Sequence, residues 1–369
     1  VGSEMCIRDS PMGRLLIFNP ENDLALASNA LSYTPTAAAA ALRQSGLLLP
    51  LWWSQPGDQL LVPRQLFPAA MALRDRWHLP GLPVLRADAA TAMPWGWSRS
   101  IRRELQALGV ADLPSDEQVQ TIRALSHRRT SIALLRALGT PDEMMPREFD
   151  SPAHAIDAID AMSAAVLKMP WSGSGRGVFH TSRISRAMTL KTIHDVIQRQ
   201  GSIIVEHELN RLRDFATLYH SDGLRVQYRG LSLFINDSHG HYRGNLIMPQ
   251  QMLARQLGID IEPLAARIAD ILTPVIAPHY SGWFGVDMML HTLPSGATAL
   301  WPCVEINLRL TMGVLALYLA ERALPPGHTA QFIIGTSTPH DAINISPTPH
   351  PVSFTLTPGP APTDNITFL

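Results

Sequence analysis

Residues 164–178 read Ala-Ala-Val-Leu-Lys-Met-Pro-Trp-Ser-Gly-Ser-Gly-Arg-Gly-Val, and they hold the most informative pattern in the chain. The apolar run that ends at Leu167 is typical of a buried strand. Lys168 follows directly, and three glycines then stand at alternate positions between residues 173 and 177. Glycines spaced in this way let backbone N–H groups approach an anion, and a neighbouring lysine adds a compact positive charge. The stretch predicts a phosphate-binding strand and loop.

A solvated Gly/Ser hairpin with an incidental surface lysine is the alternative interpretation of this stretch. The basic residues favour the phosphate site, because Lys168 and Lys191 are the only lysines among 30 lysines and arginines. The planar guanidinium of arginine is a poor substitute for a compact ammonium in a tight phosphate cradle. A chain that otherwise uses arginine has kept lysine at this position.

The composition limits the classes of protein to which the chain can belong. A hydrophobic content of 46% and a charged content of 17% over 369 residues indicate a globular protein with two domains or one large multi-lobed domain. A formal net charge of −1 gives no electrostatic reason to expect nucleic acid or a membrane surface as a partner. Two cysteines, Cys6 and Cys303, are too few for a disulfide framework, and no apolar run has the length of a membrane span. We expect a cytoplasmic protein.

The chain divides into four segments by composition and by the pattern of its apolar residues. Residues 1–11 resemble a translated sequencing adapter and are expected to be a non-native leader. Residues 12–115 alternate short apolar runs with helical patterns, which predicts a small α/β domain. Residues 116–325 contain longer helices and the strands described below. Residues 326–369 form a tail rich in proline and threonine.

The first strand of the α/β domain is predicted at residues 14–18, and the polar loop Asn19-Pro-Glu-Asn-Asp23 follows it. Ligands favour the ends of such strands, so Asn19, Glu21 and Asp23 are candidate substrate residues. Capping and turn chemistry is the alternative, since Asp23 is suited to cap the helix that follows. A helix at residues 35–45 and a second apolar run at residues 47–53 come next.

Residues 122–138 predict one continuous helix, closed by Gly139. The glycine-loop strand, a helix near residues 190–200 and a strand at residues 203–206 follow. Apolar runs at residues 217–219, 224–228 and 231–235 predict a three-stranded antiparallel meander, with Ser221-Asp-Gly223 as a hairpin turn.

Two further strands, at residues 283–290 and 300–310, carry the densest group of polar side chains. Glu305, Asn307 and Arg309 alternate with aliphatic residues, so the two-residue period of a strand places all three on one face. Polar groups on an otherwise apolar strand are costly to bury without partners. Asp287 on the neighbouring strand is well placed to join them. An edge strand with one solvated face is the alternative.

These motifs together resemble the ATP-grasp superfamily of carboxylate–amine and carboxylate–thiol ligases, over residues 116–322. The resemblance implies an α/β (α+β) fold, with an N-terminal Rossmann-like α/β domain followed by a two-lobed ATP-grasp domain. It also implies nucleotide-binding residues, a metal-ligand set and a catalytic pair. The implied nucleotide-binding residues are Arg128, Lys168, Ser172, Gly173, Ser174, Gly175, Gly177, Glu206, Leu209 and Asp214. The implied metal ligands are Asp287, Glu305 and Asn307, the implied catalytic residues are Lys168 and Arg309, and Arg243 and Arg309 are added to the substrate candidates. Arg128 stands where many members have a lysine.

The resemblance implies that ATP and one or two Mg²⁺ ions, with Mn²⁺ as an alternative ion, activate a small-molecule or peptide carboxylate as an acyl phosphate. An amine or another nucleophile would then displace phosphate, and ADP would leave. The residues suit this chemistry, because phosphoryl transfer depends on charge neutralisation and Mg²⁺ prefers oxygen ligands. Two alternatives stay open: a phosphotransferase on the same fold, and a non-catalytic nucleotide-binding protein. A Walker A motif is excluded, since no glycine precedes Lys-Ser or Lys-Thr.

Overall fold

The computed structural model describes residues 13–173, 177–236 and 242–335, together with two short strands nearer the C-terminus. The predicted leader and two residues of the predicted phosphate loop, Ser174 and Gly175, lie outside the described residues. Among the helices of the described part of the chain, none combines the length and the apolar character that a membrane crossing requires.

Residues 13–114 form a parallel four-stranded sheet flanked by helices. The strand order is β3-β2-β1-β4, with neighbouring strands parallel. The strands are β1 (Arg14–Ile17), β2 (Gln59–Leu61), β3 (Leu82–Val84) and β4 (Thr91–Pro94). The helices are α1 (Asn22–Ser28), α2 (Ala37–Ser45), α3 (Phe67–Trp77) and α4 (Arg99–Ala107), with 3₁₀ turns at Leu49–Trp53 and Arg64–Leu66. The apolar run at residues 47–53 is therefore largely a buried 3₁₀ turn, because Pro50 lacks the N–H that a central strand must donate.

The loop after β1 is fixed to the loop after β4 by one buried side chain. Asn19, which is 1% exposed, donates from Nδ2 to the Gly96 carbonyl at 2.9 Å and accepts from the Gly96 N–H at 3.3 Å. The two loops follow neighbouring parallel strands, so they leave the same edge of the sheet. Asn19 therefore holds the position from which α1 starts.

The prediction of one continuous helix at residues 122–138 is wrong. The structure has two helices there, α5 (Asp116–Leu125) and α6 (Arg129–Ala137). A capping box between Ser115 and Gln118 starts α5. At the break, the Arg129 N–H donates to Nδ1 of the buried His127, and the Arg128 N–H donates to the Pro170 carbonyl at 3.3 Å. These bonds take backbone donors that a continuous helix would use internally.

Residues 147–207 form a small antiparallel sheet of order β5-β8-β6-β7 with two helices packed on it. The strands are β5 (Arg147–Phe149), β6 (Ala165–Lys168), β7 (Val178–His180) and β8 (Ile203–His207). The helices are α7 (Pro152–Asp160) and α8 (Arg186–Gln200), and a 3₁₀ turn at Asp142–Met144 precedes the sheet.

The remaining described residues build a large antiparallel sheet of order β13-β12-β9-β10-β11-β14-β16-β15. Its strands are β9 (Asn210–Asp222), β10 (Val226–Asn236), β11 (Tyr242–Ile247), β12 (Ser281–Thr292), β13 (Thr298–Asn307), β14 (Ala330–Gly335), β15 (Phe354–Thr355) and β16 (Asn365–Phe368). Its helices are α9 (Gln250–Leu257), α10 (Glu262–Ile276) and α11 (Met312–Ala323).

The predicted meander is wrong in its strand count, because residues 226–236 form the single strand β10. Gly230, with φ of 153°, lies at a bulge where the register with β9 shifts. The bulge interrupts the alternation of side chains, so a single strand looks like two runs in the sequence. The strand predicted at residues 300–310 is also shorter than expected: β13 ends at Asn307, and Arg309 lies beyond it.

The two faces of the large sheet pack against different partners. Phe284 and Val286 point into a core shared with α6 and α10, whereas Trp283 points into a core shared with α11 and the N-terminal sheet. Because side chains alternate along β12, Asp287 belongs to the Trp283 face. That face turns toward the N-terminal unit.

We predict that Asn19→Ala lowers the free energy of unfolding by roughly 2–3 kcal/mol, because it leaves the polar backbone groups of Gly96 buried without their amide partner. Chemical denaturation followed by circular dichroism measures the change. Gln106→Ala, on an exposed turn of α4, is the control and should stay within about 0.5 kcal/mol of the wild type. Equal effects of the two substitutions would contradict a structural role for Asn19.

Candidate functional site

Two neighbouring strands bring the predicted metal ligands together. Asp287 on β12 is directly opposite Glu305 on β13, and Asn307, two residues after Glu305, is opposite Gly285. All three side chains therefore share one face of the sheet. Asn307 Nδ2 donates to Asp287 Oδ2 at 3.0 Å. The face that the sequence predicts for these residues is the face they occupy.

The electrostatics of this face are dominated by the negative charge of two carboxylates. Burial raises the pKa of Asp287 to about 7, and the neighbouring Glu305 carboxylate adds to this rise. The opposing influences of Arg309 and of the Asn307 hydrogen bond are too weak to cancel it. The local environment therefore favours additional positive charge near Asp287.

The donor set suits Mg²⁺. No group of three His, Cys, Asp or Glu side chains with metal-ligand geometry occurs in the described ranges. Asp287 and Glu305 instead offer two carboxylates, and Asn307 Oδ1, which accepts from Arg309 Nη2 at 2.9 Å, keeps a second lone pair. Mg²⁺ in nucleotide sites is commonly held by one or two carboxylates together with phosphate and water oxygens. Two carboxylates and an amide oxygen fit that pattern.

Lys168 lies at the end of β6 and is 5% exposed. Its Nζ is 2.5 Å from Glu206 Oε1 on β8. The register explains the pair: Val166 is opposite Glu206, and Lys168 is on the same face two residues later. A buried ammonium without this carboxylate would be costly. Lys168 and Glu206, both predicted nucleotide-binding residues, thus neutralise each other.

Arg128 connects the helix break to the glycine loop and to the large sheet. Its Nε donates to the Met169 carbonyl at 2.9 Å, and its Nη2 donates to Ser172 Oγ at 3.1 Å. Its Nη1 lies 2.7 Å from Glu305 Oε2 as an ion pair without hydrogen-bond geometry. Arg128 is 6% exposed, so these contacts are shielded from water. Gly177 lies where the loop returns, and a Cβ there would be 2.4 Å from Ser172 Cβ.

Arg309 joins the end of β13 to the N-terminal unit. Its Nε lies 2.9 and 3.0 Å from the two carboxylate oxygens of Asp23, and its Nη2 donates to Asp23 Oδ2 at 2.7 Å. Asp23 therefore does not cap α1 as predicted: the N-cap residue is Glu21, which makes no side-chain capping bond. The same carboxylate also limits the glycine loop, since a Cβ on Gly173 would be 2.7 Å from Asp23 Oδ2.

The predicted ribose residue, Asp214 on β9, already has protein partners. Arg211 Nη1 donates to its Oδ2 at 3.0 Å, and Asn236 Nδ2 donates to the same oxygen at 2.7 Å. Burial raises the pKa of Asp214, and both partners together with Lys168 oppose that rise. The influence of Lys168 means that Asp214 is near the small sheet. Leu209, predicted near the adenine, lies half-buried between β8 and β9.

Three of the predicted substrate residues lie elsewhere or are bonded to other parts of the protein. Asn19 is bonded to Gly96, as described above. Glu21 is 7% exposed and accepts from Arg43 Nη1 at 2.9 Å, and burial raises its pKa. Arg243 is half-buried on β11. Of the substrate candidates, Asp23 and Arg309 are the ones that the fold brings to the cleft.

Sequence reasoning missed two side chains at the site. Asn236 holds Asp214, and Tyr242 lies close enough to Asp287 for that carboxylate to contribute to its raised pKa, of which burial is the main cause. Asn236 ends β10 and Tyr242 begins β11. Their polar groups at the ends of apolar strands were the available signal, but nothing in the local sequence places them beside residues of β9 and β12.

A recess between the three sheets collects several of these residues. It is lined by Asp23 from the N-terminal unit, by Arg128, Trp171 and Ser172 near the small sheet, and by residues 305–309 of the large sheet. Four predicted nucleotide- and metal-binding residues, Arg128, Ser172, Glu305 and Asn307, therefore border one space, and Lys168 and Asp287 are not among its lining residues.

Comparison with models of protein families found no match, and comparison with curated proteins found none. Several solved structures are similar in fold. N5-carboxyaminoimidazole synthetase from Staphylococcus aureus is 13% identical, with 87% of this chain and 82% of that chain covered and a TM-score of 0.46. Biotin carboxylase from Campylobacter jejuni is 13% identical, with 96% and 86% covered and a TM-score of 0.49. D-alanyl-alanine synthetase A from Vibrio cholerae is 12% identical, with 85% and 94% covered and a TM-score of 0.43. With a parallel N-terminal sheet followed by two antiparallel sheets, this chain has the mixed α/β fold that its resemblance to the ATP-grasp superfamily implies.

Proposed function

We propose that the protein is an ATP- and Mg²⁺-dependent ligase that activates a carboxylate as an acyl phosphate for attack by an amine or another nucleophile. One observation carries the proposal. Asp287, whose pKa is raised to about 7, faces Glu305 and Asn307, and Glu305 in turn pairs with the buried Arg128. Acids beside a buried base are suited to hold a metal–triphosphate, whose charges are also of both signs.

The contacts of the residues support a role for each of them. Lys168, at the entrance to the glycine loop, would neutralise phosphate oxygens as a point charge. Arg128, fixed by Met169 and Ser172, would present a guanidinium from the other side of the loop. Mg²⁺ held by Asp287, Glu305 and Asn307 would supply charge neutralisation at the transferring phosphoryl group.

Arg309 and Asp23 would act at the acceptor side of the reaction. Arg309 is bidentate to Asp23, through Nε to Oδ1 and Nη2 to Oδ2, the arrangement by which a guanidinium also binds a substrate carboxylate. A substrate carboxylate would therefore compete with Asp23, or bind next to the pair. Either arrangement orients the attacking oxygen toward the recess, and orientation of this kind is a large part of catalysis by enzymes that transfer phosphoryl groups.

Trapping with hydroxylamine tests the reaction without knowledge of the natural nucleophile. Pools of amino acids, dipeptides and small organic acids are incubated with the protein, Mg·ATP and hydroxylamine. A ligase of this type yields ADP and a hydroxamate, and carboxylate oxygen labelled with ¹⁸O appears in the released phosphate. A stable phosphorylated product without hydroxamate would instead identify a phosphotransferase. ATP binding without turnover in any pool would leave the nucleotide-binding alternative.

We predict that Lys168→Ala reduces kcat/KM for ADP formation by roughly 10²-fold, because it removes a buried charge from the phosphate site. Lys191→Ala is the matched control. Lys191 is the other lysine of the chain, 65% exposed, and it pairs with Asp195 one helical turn away. A coupled assay for ADP measures both variants. Similar losses in the two would contradict the assignment of Lys168.

We predict that Asp287→Asn stabilises the metal-free protein at about pH 8 by on the order of 1–3 kcal/mol, because the wild type must bury an ionised carboxylate there. The pKa of Asp287 in the folded protein, about 7, is above the ordinary value of 3.8. The stability that this group contributes is therefore fully present below pH about 4 and is lost as the pH rises through 7. The difference between variant and wild type should shrink at about pH 5.

Thermal unfolding in EDTA at the two pH values measures this effect, and repeating it with Mg²⁺ adds a second readout. Mg²⁺ should raise the unfolding temperature of the wild type and have little effect on Asp287→Asn. Asp270→Asn, at an exposed position on α10, is the control. A destabilised Asp287→Asn protein at pH 8, or one that Mg²⁺ stabilises as much as the wild type, would contradict the proposed metal site.

A further inference from the structure

A cavity of about 400 Å³ lies between the edge strand β4 of the N-terminal sheet and the β9–β12 region of the large sheet. Its walls include Arg14, Trp53, His220, Arg229, Trp283 and Tyr318. None of its lining residues lines the recess of the proposed nucleotide site. Along β12, Trp283 is four residues from Asp287, which corresponds to roughly 13 Å in a strand. The cavity is a separate space with its own chemistry.

The charge of the cavity lining is of one sign. It contains two arginines and a histidine, and no Asp or Glu is among the described residues that line it. Arg14 is balanced by Asp58, whose carboxylate accepts from Arg14 Nε at 3.0 Å and Nη2 at 2.8 Å. Arg229 forms no ion pair with a carboxylate in the described part of the chain, and its guanidinium lies 5.9 Å from the centre of the Trp283 ring. An anion in the cavity would therefore find an uncompensated cation.

The pKa of His220 is affected by the same two arginines. Burial lowers its pKa, and Arg229 and Arg14 lower it further, although Asp222 opposes them. The imidazole can donate a hydrogen bond from one ring nitrogen in its neutral form. It therefore adds a donor to the cavity without adding another fixed charge.

A buried donor without an acceptor lies in the cavity wall. Trp53 is 1% exposed, and its Nε1 has no hydrogen-bond partner within the described residues. A buried N–H group without an acceptor is energetically costly. A ligand oxygen that accepts from Trp53 Nε1 would recover part of that cost.

The aromatic side chains of the cavity have fixed orientations. Trp283 has His220 edge-on at 5.3 Å and Tyr318 edge-on at 5.8 Å between ring centres. Flat walls held by such contacts suit a planar body better than a branched aliphatic one. A volume of about 400 Å³ lies in the range of small-ligand sites.

We propose that this cavity binds a small organic anion with a planar, aromatic body, at a site separate from the nucleotide recess. The anionic group would lie near Arg229 and His220, and the ring would lie against Trp283. Leu310 lines the cavity and directly follows Arg309, so an occupant would lie beside the segment that carries the Arg309–Asp23 pair. The inference does not depend on the proposed ligase activity.

Fluorine NMR titration of the full chain tests the site directly. The probes are 4-fluorophenylacetate and 4-fluorophenyl phosphate, with neutral 4-fluorophenylacetamide as the matched ligand. We expect at least one anion to bind at millimolar concentration or below, and the amide to bind about tenfold more weakly or not at all, because charge-assisted hydrogen bonds account for most of the difference. The carboxylate and phosphate arms identify which anionic group the cavity prefers.

Variants assign the binding to the cavity. Arg229→Ala changes an exposed side chain and should weaken the bound anion about tenfold. Arg225→Ala, on the same hairpin but outside the cavity and paired with Asp222, should leave it unchanged. Binding should also persist with excess Mg·ATP. Failure of both anions to bind, equal binding of acid and amide, equal effects of the two arginine variants, or displacement by Mg·ATP would each overturn the proposal. Because no step requires ATP turnover, these outcomes are distinguishable from failure of the ligase proposal.

Discussion

The half-buried ion pair between Arg309 and Asp23 is the contact on which the organisation of the cleft depends. The guanidinium contacts Asp23 at 2.7 Å and Asn307 at 2.9 Å, so it ties the N-terminal loop to the last residue of β13. Removing either partner would leave the other charge without its counter-ion and with little access to water. Asn307 in turn bonds to Asp287. The position of the N-terminal unit and the orientation of the predicted metal ligands are therefore set by one chain of contacts.

The other cations of the cleft are also paired with carboxylates of the protein. Lys168 pairs with Glu206, and Arg128 pairs with Glu305. Each base that is suited to bind phosphate is thus neutralised by an acid of the protein. Asp287, in contrast, lies near a second carboxylate, that of Glu305, which raises its pKa. A ligand that carries both a cation and several anions can replace these contacts without leaving a buried charge unpaired. A ligand of one sign cannot, and selectivity for a metal–phosphate complex would follow from this balance.

The sequence predicts what depends on local periodicity. Asp287, Glu305 and Asn307 share a face because strands alternate, and Lys168 follows a buried strand because the apolar run before it has the right length. Prediction failed where a distant residue decides the local structure. Asp23 looks like a helix cap, but its partner is 286 residues away. The break between α5 and α6 is equally hidden, since the apolar pattern continues through it and the bond that fixes it comes from Pro170. The bulge at Gly230 made one strand look like two.

The break between α5 and α6 has a kinematic consequence. Arg128 is bonded through its backbone to Pro170 and through its side chain to Met169 and Ser172, while its remaining nitrogen faces Glu305 on the large sheet. Three of these contacts belong to the small-sheet side and one belongs to the large sheet. Arg128 also directly precedes α6, which packs on the large sheet and whose Ser131 Oγ accepts from the Ile306 N–H at 3.1 Å. The residue is therefore anchored to both sheets, so any rotation of one sheet relative to the other must break contacts of Arg128 on one side. The geometry of the glycine loop and that of Glu305 are thereby coupled through a single residue.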